Sequence, residues 1–142
     1  MTLSADLAPF ILRATIGLIL IAHGTRHLKS REGTEAWIEG IGLRNPSLQW
    51  FFMSFAEIGV GVSLGLGLLT TVGAAGLLAL MAVAFWTVHR HAGFWITARP
   101  DEGWEYALLI SAGAIAVAVI GPGEWSLDHL LGIADKLDGA TG

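Results

Sequence analysis

The sequence predicts an all-α integral membrane protein: a four-helix up-and-down bundle with short interfacial helices after the first span and at the C-terminus. Three observations lead there. Hydrophobic residues make up 54% of the 142 and charged ones only 14%, against about a quarter charged in ordinary soluble domains. The mean hydropathy is +0.63. Four apolar runs come close to the roughly 20 residues that cross a hydrocarbon core about 30 Å thick. These runs and their connections use nearly the whole chain, so residues 1–142 read as one domain with no room for a separate soluble catalytic unit.

The first span is predicted over Leu7–His23, with Pro9 in its first turn, where a missing N–H does no harm. Arg13 inside this run, and the absence of a small-x-small cleavage site after it, favour a retained helix over a cleaved signal peptide. A polar stretch from Gly24 to Pro46 follows. Within it Thr34 is expected to cap a short interfacial helix through Gly40, with Trp37, Ile38 and Ile41 on its apolar side. The second span is predicted over Trp50–Leu69, followed by a tight Thr70-Thr71 turn and a third span over Val72–His89. A second polar loop, Arg90–Gly103, holds the Arg99-Pro100 break. The fourth span, Trp104–Ile120, stops at Gly121-Pro122-Gly123, which cannot continue a helix. Ser126 is then expected to cap an amphipathic segment lying on the membrane. There Leu127, Leu130, Leu131 and Ala134 fall at i, i+3, i+4 and i+7, and Trp125 serves as an anchor. The pairs Gly61/Gly65 and Ser63/Gly67 have the small-xxx-small spacing that allows helices to approach closely.

Composition also excludes chemistry. With no cysteine there are no disulfides, Cys-ligated zinc sites or iron–sulfur clusters, and a net charge of −4 offers no basic face to nucleic acid. Both long loops fall on one side and carry Arg26, Lys29, Arg31, Arg44, Arg90 and Arg99, whereas the other side has Lys136. The positive-inside rule therefore puts the loops in the cytoplasm and both termini outside.

Ionisable residues within spans are costly and are functional candidates by default. Here they are Arg13 and His23 on the first helix, Glu57 on the second, His89 at the end of the third, and Glu105 with Tyr106 at the start of the fourth. At 1.5 Å per residue, Arg13 lies about 15 Å from His23. Setting Phe51 level with His23 puts Glu57 about 9 Å inward, within roughly 6 Å of Arg13 in depth. An Arg13–Glu57 pair is thus expected, either as a structural ion pair or as the floor of a ligand or proton-relay site. Three faces are predicted to point inward: Arg13, Gly17, Leu20, Gly24 and His27, with His23 on the flank; Ser54, Glu57, Gly61 and Gly65; and Glu105, Leu109, Ala112, Gly113 and Ala116. His27, His91 and His129 are expected at the interface or in solvent. Antiparallel threading brings His23 and His89 to one level. A hydrogen-bonding site for a quinone, with histidine and carboxylate exchanging protons, fits these residues. A b-type haem or a metal held by His23 and His89 with Glu57 and Glu105 is the weaker alternative, because no Glu-x-x-His pair is present and a haem usually sits deeper.

The run Arg13-x3-Gly17, Ala22-His23-Gly24 and Lys29 resembles the first helix of DoxX-family membrane proteins. Glu57-x-Gly59-x-Gly61 leading into Gly65-Leu66-Gly67-Leu68-Leu69-Thr70 is similar to the same family. So are His89 with Gly93-Phe94, then Gly103-Trp104-Glu105-Tyr106, Gly121-Pro122-Gly123 and Ser126-Leu127-Asp128. The likeness runs in order over nearly the whole chain. It implies a four-helix transmembrane bundle, a link to membrane redox chemistry with quinone or catechol handling, and site residues Arg13, His23, Lys29, Glu57, His89, Glu105 and Tyr106. The expected role is a membrane subunit that binds a quinone-like or other small amphipathic ligand, beside a partner oxidoreductase subunit or as a homo-oligomer. The rival roles are a non-catalytic accessory subunit docking through Thr34–Gly40 and Ser126–Ala134, and a small transporter, which no pair of broken helices supports.

Overall fold

The computed structural model describes residues 3–97 and 102–133, and among them every regular element is helical. The long helices are α1 (Leu3–Lys29), α3 (Pro46–Leu66), α4 (Thr70–Thr87) and α5 (Glu105–Ile120). Two short helices, α2 (Arg31–Gly40) and α6 (Leu127–Leu130), flank the bundle, and a single 3₁₀ turn covers His89–His91. The Arg99-Pro100 break, Ala134 and Lys136 lie outside the described residues.

Glycines set the packing of α1 on α3. A methyl group on Gly17 would lie 2.6 Å from the Gly61 carbonyl oxygen and 2.7 Å from Gly65 N. One on Gly24 would lie 2.7 Å from the Ser54 carbonyl oxygen. The two backbones therefore touch at both places, which only glycine permits. These contacts also fix the antiparallel register: Gly17 opposes Gly61 and Gly65, and Gly24 opposes Ser54 and Glu57. On the far side of α3, Gly73 and Gly76 of α4 approach Ser63 and Val60. Gly113 of α5 comes against Ile16 of α1, closing the ring. Ile16, Leu20, Leu64, Leu77, Ala114 and Val117 fill the centre.

The outer surface is apolar. Leu18 is 68% exposed, Leu109 70% and Val119 81%, on faces that water would not tolerate at this extent. By length and composition, α1 from Leu7 onward, α3 and α4 can each cross a membrane. Helix α5 is equally apolar but has 16 residues, on the order of 24 Å, at the thin end of what a bilayer accommodates. The protein is a multi-pass membrane protein whose outer faces contact lipid.

Several boundaries differ from those the sequence predicts. Helix α1 begins at Leu3, so Pro9 lies inside it rather than in its first turn. Helix α3 stops at Leu66, and the turn to α4 is Gly67–Leu69 instead of Thr70-Thr71. Gly67, at φ +66°, ends α3 in a Schellman motif. Its N–H donates to the Leu64 carbonyl (3.2 Å) and Leu68 N–H donates to that of Ser63 (2.9 Å). The short helix α2 begins at Arg31, so Thr34 is not its cap; its hydroxyl donates back to the Ser30 carbonyl (2.8 Å). Ile38 is buried beneath α2, and Arg31 donates to Glu35 across one turn (2.7 Å), drawing the Glu35 carboxyl below its usual range. Ser126 does cap α6, accepting from His129 N–H (3.1 Å).

Replacing Gly17 by leucine should force α1 off α3 and destabilise the bundle by about 1–3 kcal/mol, the usual range for overpacking. Gly59→Leu should be neutral, because nothing lies within 4 Å of a Cβ there. Thermal unfolding in detergent distinguishes the two; equal melting temperatures would contradict this packing.

Candidate functional site

At the loop end the bundle opens into a cavity of about 950 Å³. Its polar wall is formed by His23 and His27 of α1, Glu57 of α3, His89 and Glu102 around the α4–α5 loop, and Tyr106 of α5. Helix α2 contributes Thr34, Trp37 and Ile38 to the roof, while apolar side chains of α3 and α4 form the opposite wall.

The His27 and Glu57 side chains meet across α1 and α3, with Nε2 3.7 Å from Oε2. That Glu57 oxygen is buried and has no hydrogen-bond partner among the described residues. The His27 ring also lies 3.5 Å from the Thr34 hydroxyl through Nδ1, and Trp50 Nε1 donates to the His27 carbonyl (2.8 Å), pinning the end of α1 to α3. The His23 ring stacks on Tyr106 with centroids 6.3 Å apart and planes at 19°. His89 Nδ1 donates to the Glu102 carbonyl (2.6 Å), which anchors the 3₁₀ turn to the start of α5. The arrangement combines an under-bonded carboxyl oxygen, imidazoles and a phenol on one wall of a largely apolar chamber. Such a wall suits a ligand with a polar ring and an apolar body.

A second polar cluster sits at the other end and has a different character. Arg13 is 1% exposed. Its guanidinium donates to the carbonyls of Leu64 (3.2 Å) and Gly65 (2.8 Å) at the end of α3, and to those of Pro122 (3.1 Å) and Trp125 after α5. It thus serves as the C-cap cation of α3 and ties three segments together. Asp128 completes the cluster. Its carboxylate accepts from Leu69 N–H (2.7 Å) and Thr70 N–H (2.8 Å), and its own N–H donates to the Gly67 carbonyl (2.8 Å). A carboxylate on the first N–H groups of α4 is the favourable sign at a helix N-terminus.

The predicted site residues therefore divide. His23, Glu57, His89 and Tyr106 are brought together around the cavity. Arg13 is not: among the described ion pairs none joins it to Glu57, because the glycine register sets Glu57 level with Gly24 rather than near the middle of α1. Arg13 lies instead at the level of Gly67, where a Cβ would come 2.8 Å from its Cζ. Glu105 is also drawn away, accepting from Ile96 N–H (3.0 Å) and so fastening the α4–α5 loop. The inner face of α5 is formed by Ala107, Ile110, Ala114 and Val117, and the predicted inner residue Leu109 faces outward. His27, expected at the interface, is half-buried against Glu57; its place on the same helical face as Gly17 and Gly24 was the available signal. The role of Asp128 had no signal beyond its position two residues after Ser126. Among the described residues no three His, Asp or Glu side chains gather in a metal-binding cluster.

The family model for DoxX matches residues 8–90, from the first turns of α1 through the 3₁₀ turn after α4. The chain belongs to the DoxX family. No solved structure matches it. The matched segment of this DoxX-family chain carries Arg13, His23, His27, Glu57 and His89, whereas Tyr106 and Asp128 lie beyond it.

Because Arg13 works through a planar fork of donors, Arg13→Lys should keep the charge yet lose about 2 kcal/mol, the scale of one hydrogen bond to a charged group. Asp128→Ala should cost about 1 kcal/mol as a lost cap. Both are read as lowered melting temperatures in detergent; a fully stable Arg13→Lys variant would contradict the capping role.

Proposed function

We propose that this DoxX-family protein is a membrane subunit linked to redox metabolism, binding a quinone-like or other small amphipathic ligand in the loop-end cavity. The observation that carries this reading is Glu57, whose buried Oε2 has no hydrogen-bond partner among the described residues although it lines a large chamber beside His27 and Tyr106. A buried acceptor without a partner costs free energy, on the order of 1–3 kcal/mol, and a ligand hydroxyl would relieve it. In the same pose the ligand's other ring oxygen accepts from an imidazole or phenol donor on His27, His23 or Tyr106, with His89 at the mouth. Histidine and carboxylate side by side also provide a route for a proton when the ligand changes redox state. Electrons would pass through the redox centre of a partner oxidoreductase subunit. The cations Arg26, Lys29, Arg31, Arg44 and Arg90 on the loop-end connections favour a cytoplasmic placement of that end.

Titrating the purified protein with decylubiquinol, kept reduced under nitrogen so that its ring hydroxyls can donate to Glu57, by calorimetry tests the site. Glu57→Gln and His27→Ala should each weaken binding about tenfold or more, equivalent to about 1.4 kcal/mol. Undiminished affinity in both variants would contradict the assignment.

A further inference from the structure

The cavity has a side opening that a polar ring does not need. Helices α3 and α4 are in close contact near their shared turn, where Gly73 meets Ser63 and Gly76 meets Val60. Continuing that antiparallel register toward the loop end, Ala56 should next oppose Leu80, Met53 should oppose Val83, and Gln49 should oppose Thr87. All six line the cavity. The seam therefore parts where it would otherwise continue to pack.

The parted seam is apolar and faces the bilayer. Phe52 and Val83, which both line the cavity, are each 61% exposed. The α4 residues that line it carry no charge, and Glu57 is the only charged group contributed by α3. From Val60 to Gln49 the cleft runs about 16 Å along α3. The aqueous side differs: α2 lies across it with Thr34 and Ile38 buried. One chamber is lined both by Phe52 and Val83 and by Glu57 with Tyr106, so an opening past the first pair leads to the second.

We propose that the ligand enters from the bilayer between α3 and α4 and keeps a linear apolar tail in this cleft. The ligand class is then a lipid-soluble, tailed amphipath rather than a water-soluble ring compound. This rests on the headgroup site proposed above and adds the route and the tail to it. A tail in the cleft covers Met53, Ala56, Leu80 and Val83 with hydrocarbon, while the ring reaches the under-bonded carboxyl oxygen of Glu57.

The test compares 2,3-dimethoxy-5-methylhydroquinone with its decyl derivative, both kept reduced under nitrogen, on the full chain in lipid nanodiscs by calorimetry. Affinities are expressed per mole fraction in the bilayer, so that partitioning cancels. The decyl probe should bind about tenfold tighter on that scale. In Val83→Trp and Ala79→Phe, which narrow the cleft rim, the ratio should fall to within about twofold of unity. Equal affinities in the wild type, or an unchanged ratio in both narrowed variants, would overturn the lateral route while leaving the headgroup site standing. Failure of both probes to bind the wild type would instead remove the headgroup site and this proposal with it. The wild-type comparison needs no variant to fold, and the melting temperature of each variant shows whether its ratio can be read.

Discussion

The whole arrangement depends on the backbone contact between α1 and α3. Gly17 on Gly61 and Gly65, with Gly24 on Ser54, brings the two backbones into contact and sets their register. Within a membrane the hydrophobic effect does not drive one apolar helix onto another, so close van der Waals contact through small residues is what holds a pair together. Everything polar in the molecule is then placed by that contact. Glu57 falls beside the His23–His27 turn of α1, and Arg13 falls beside the Gly67 turn, about 15 Å away along the helix.

The two polar ends illustrate two ways of treating buried polarity. At the Gly67 end the charged side chains find full sets of partners, the Thr70 hydroxyl being the buried group there without one among the described residues. Arg13 takes up carbonyls that α3 leaves unpaired at its C-terminus, and Asp128 takes up N–H groups that α4 leaves unpaired at its N-terminus. Each side chain also opposes the helix dipole it meets with charge of the stabilising sign. At the loop end the opposite holds. Glu57 is left with an oxygen that has no partner among the described residues, its neighbours are titratable rings, and a large chamber separates this wall from the apolar one. A charge with its partners in place is held rigidly, whereas a buried acceptor without one gains from a ligand donor.

Much of this was legible in the sequence, for reasons that can be named. The spans follow from hydropathy, and the α1 face containing Gly17, Gly24 and His27 follows from helical periodicity. The Ser126 cap follows from its position before an apolar run, and the Gly61/Gly65 pair from its spacing. What the sequence does not carry is register. Hydropathy places a helix in the bilayer only to within a turn or two, and an offset of six residues moved Glu57 by about 9 Å, from the level of Gly17, within reach of Arg13, to that of His23, within reach of His27. Rotation failed for α5 because its residues are apolar all round, so no stripe distinguishes Leu109 from Ile110. Glu105 and Asp128 act on backbone N–H groups distant in sequence, and nothing local marks such a partner.

The central claim is therefore the register that separates Arg13 from Glu57, and the cysteine-free chain allows it to be read directly. The His27 and Glu57 side chains end 3.7 Å apart, within reach of a short bifunctional thiol reagent. Treating a His27→Cys/Glu57→Cys double variant in membranes with such a reagent, which leaves the packing glycines in place, should give an internally cross-linked monomer. An Ala14→Cys/Glu57→Cys variant, the pair favoured by the register that would join Arg13 to Glu57, should stay open, because the two positions lie about 13 Å apart along the helix axis in the register set by Gly17 and Gly24. Cross-linking of the second pair without the first would contradict the account.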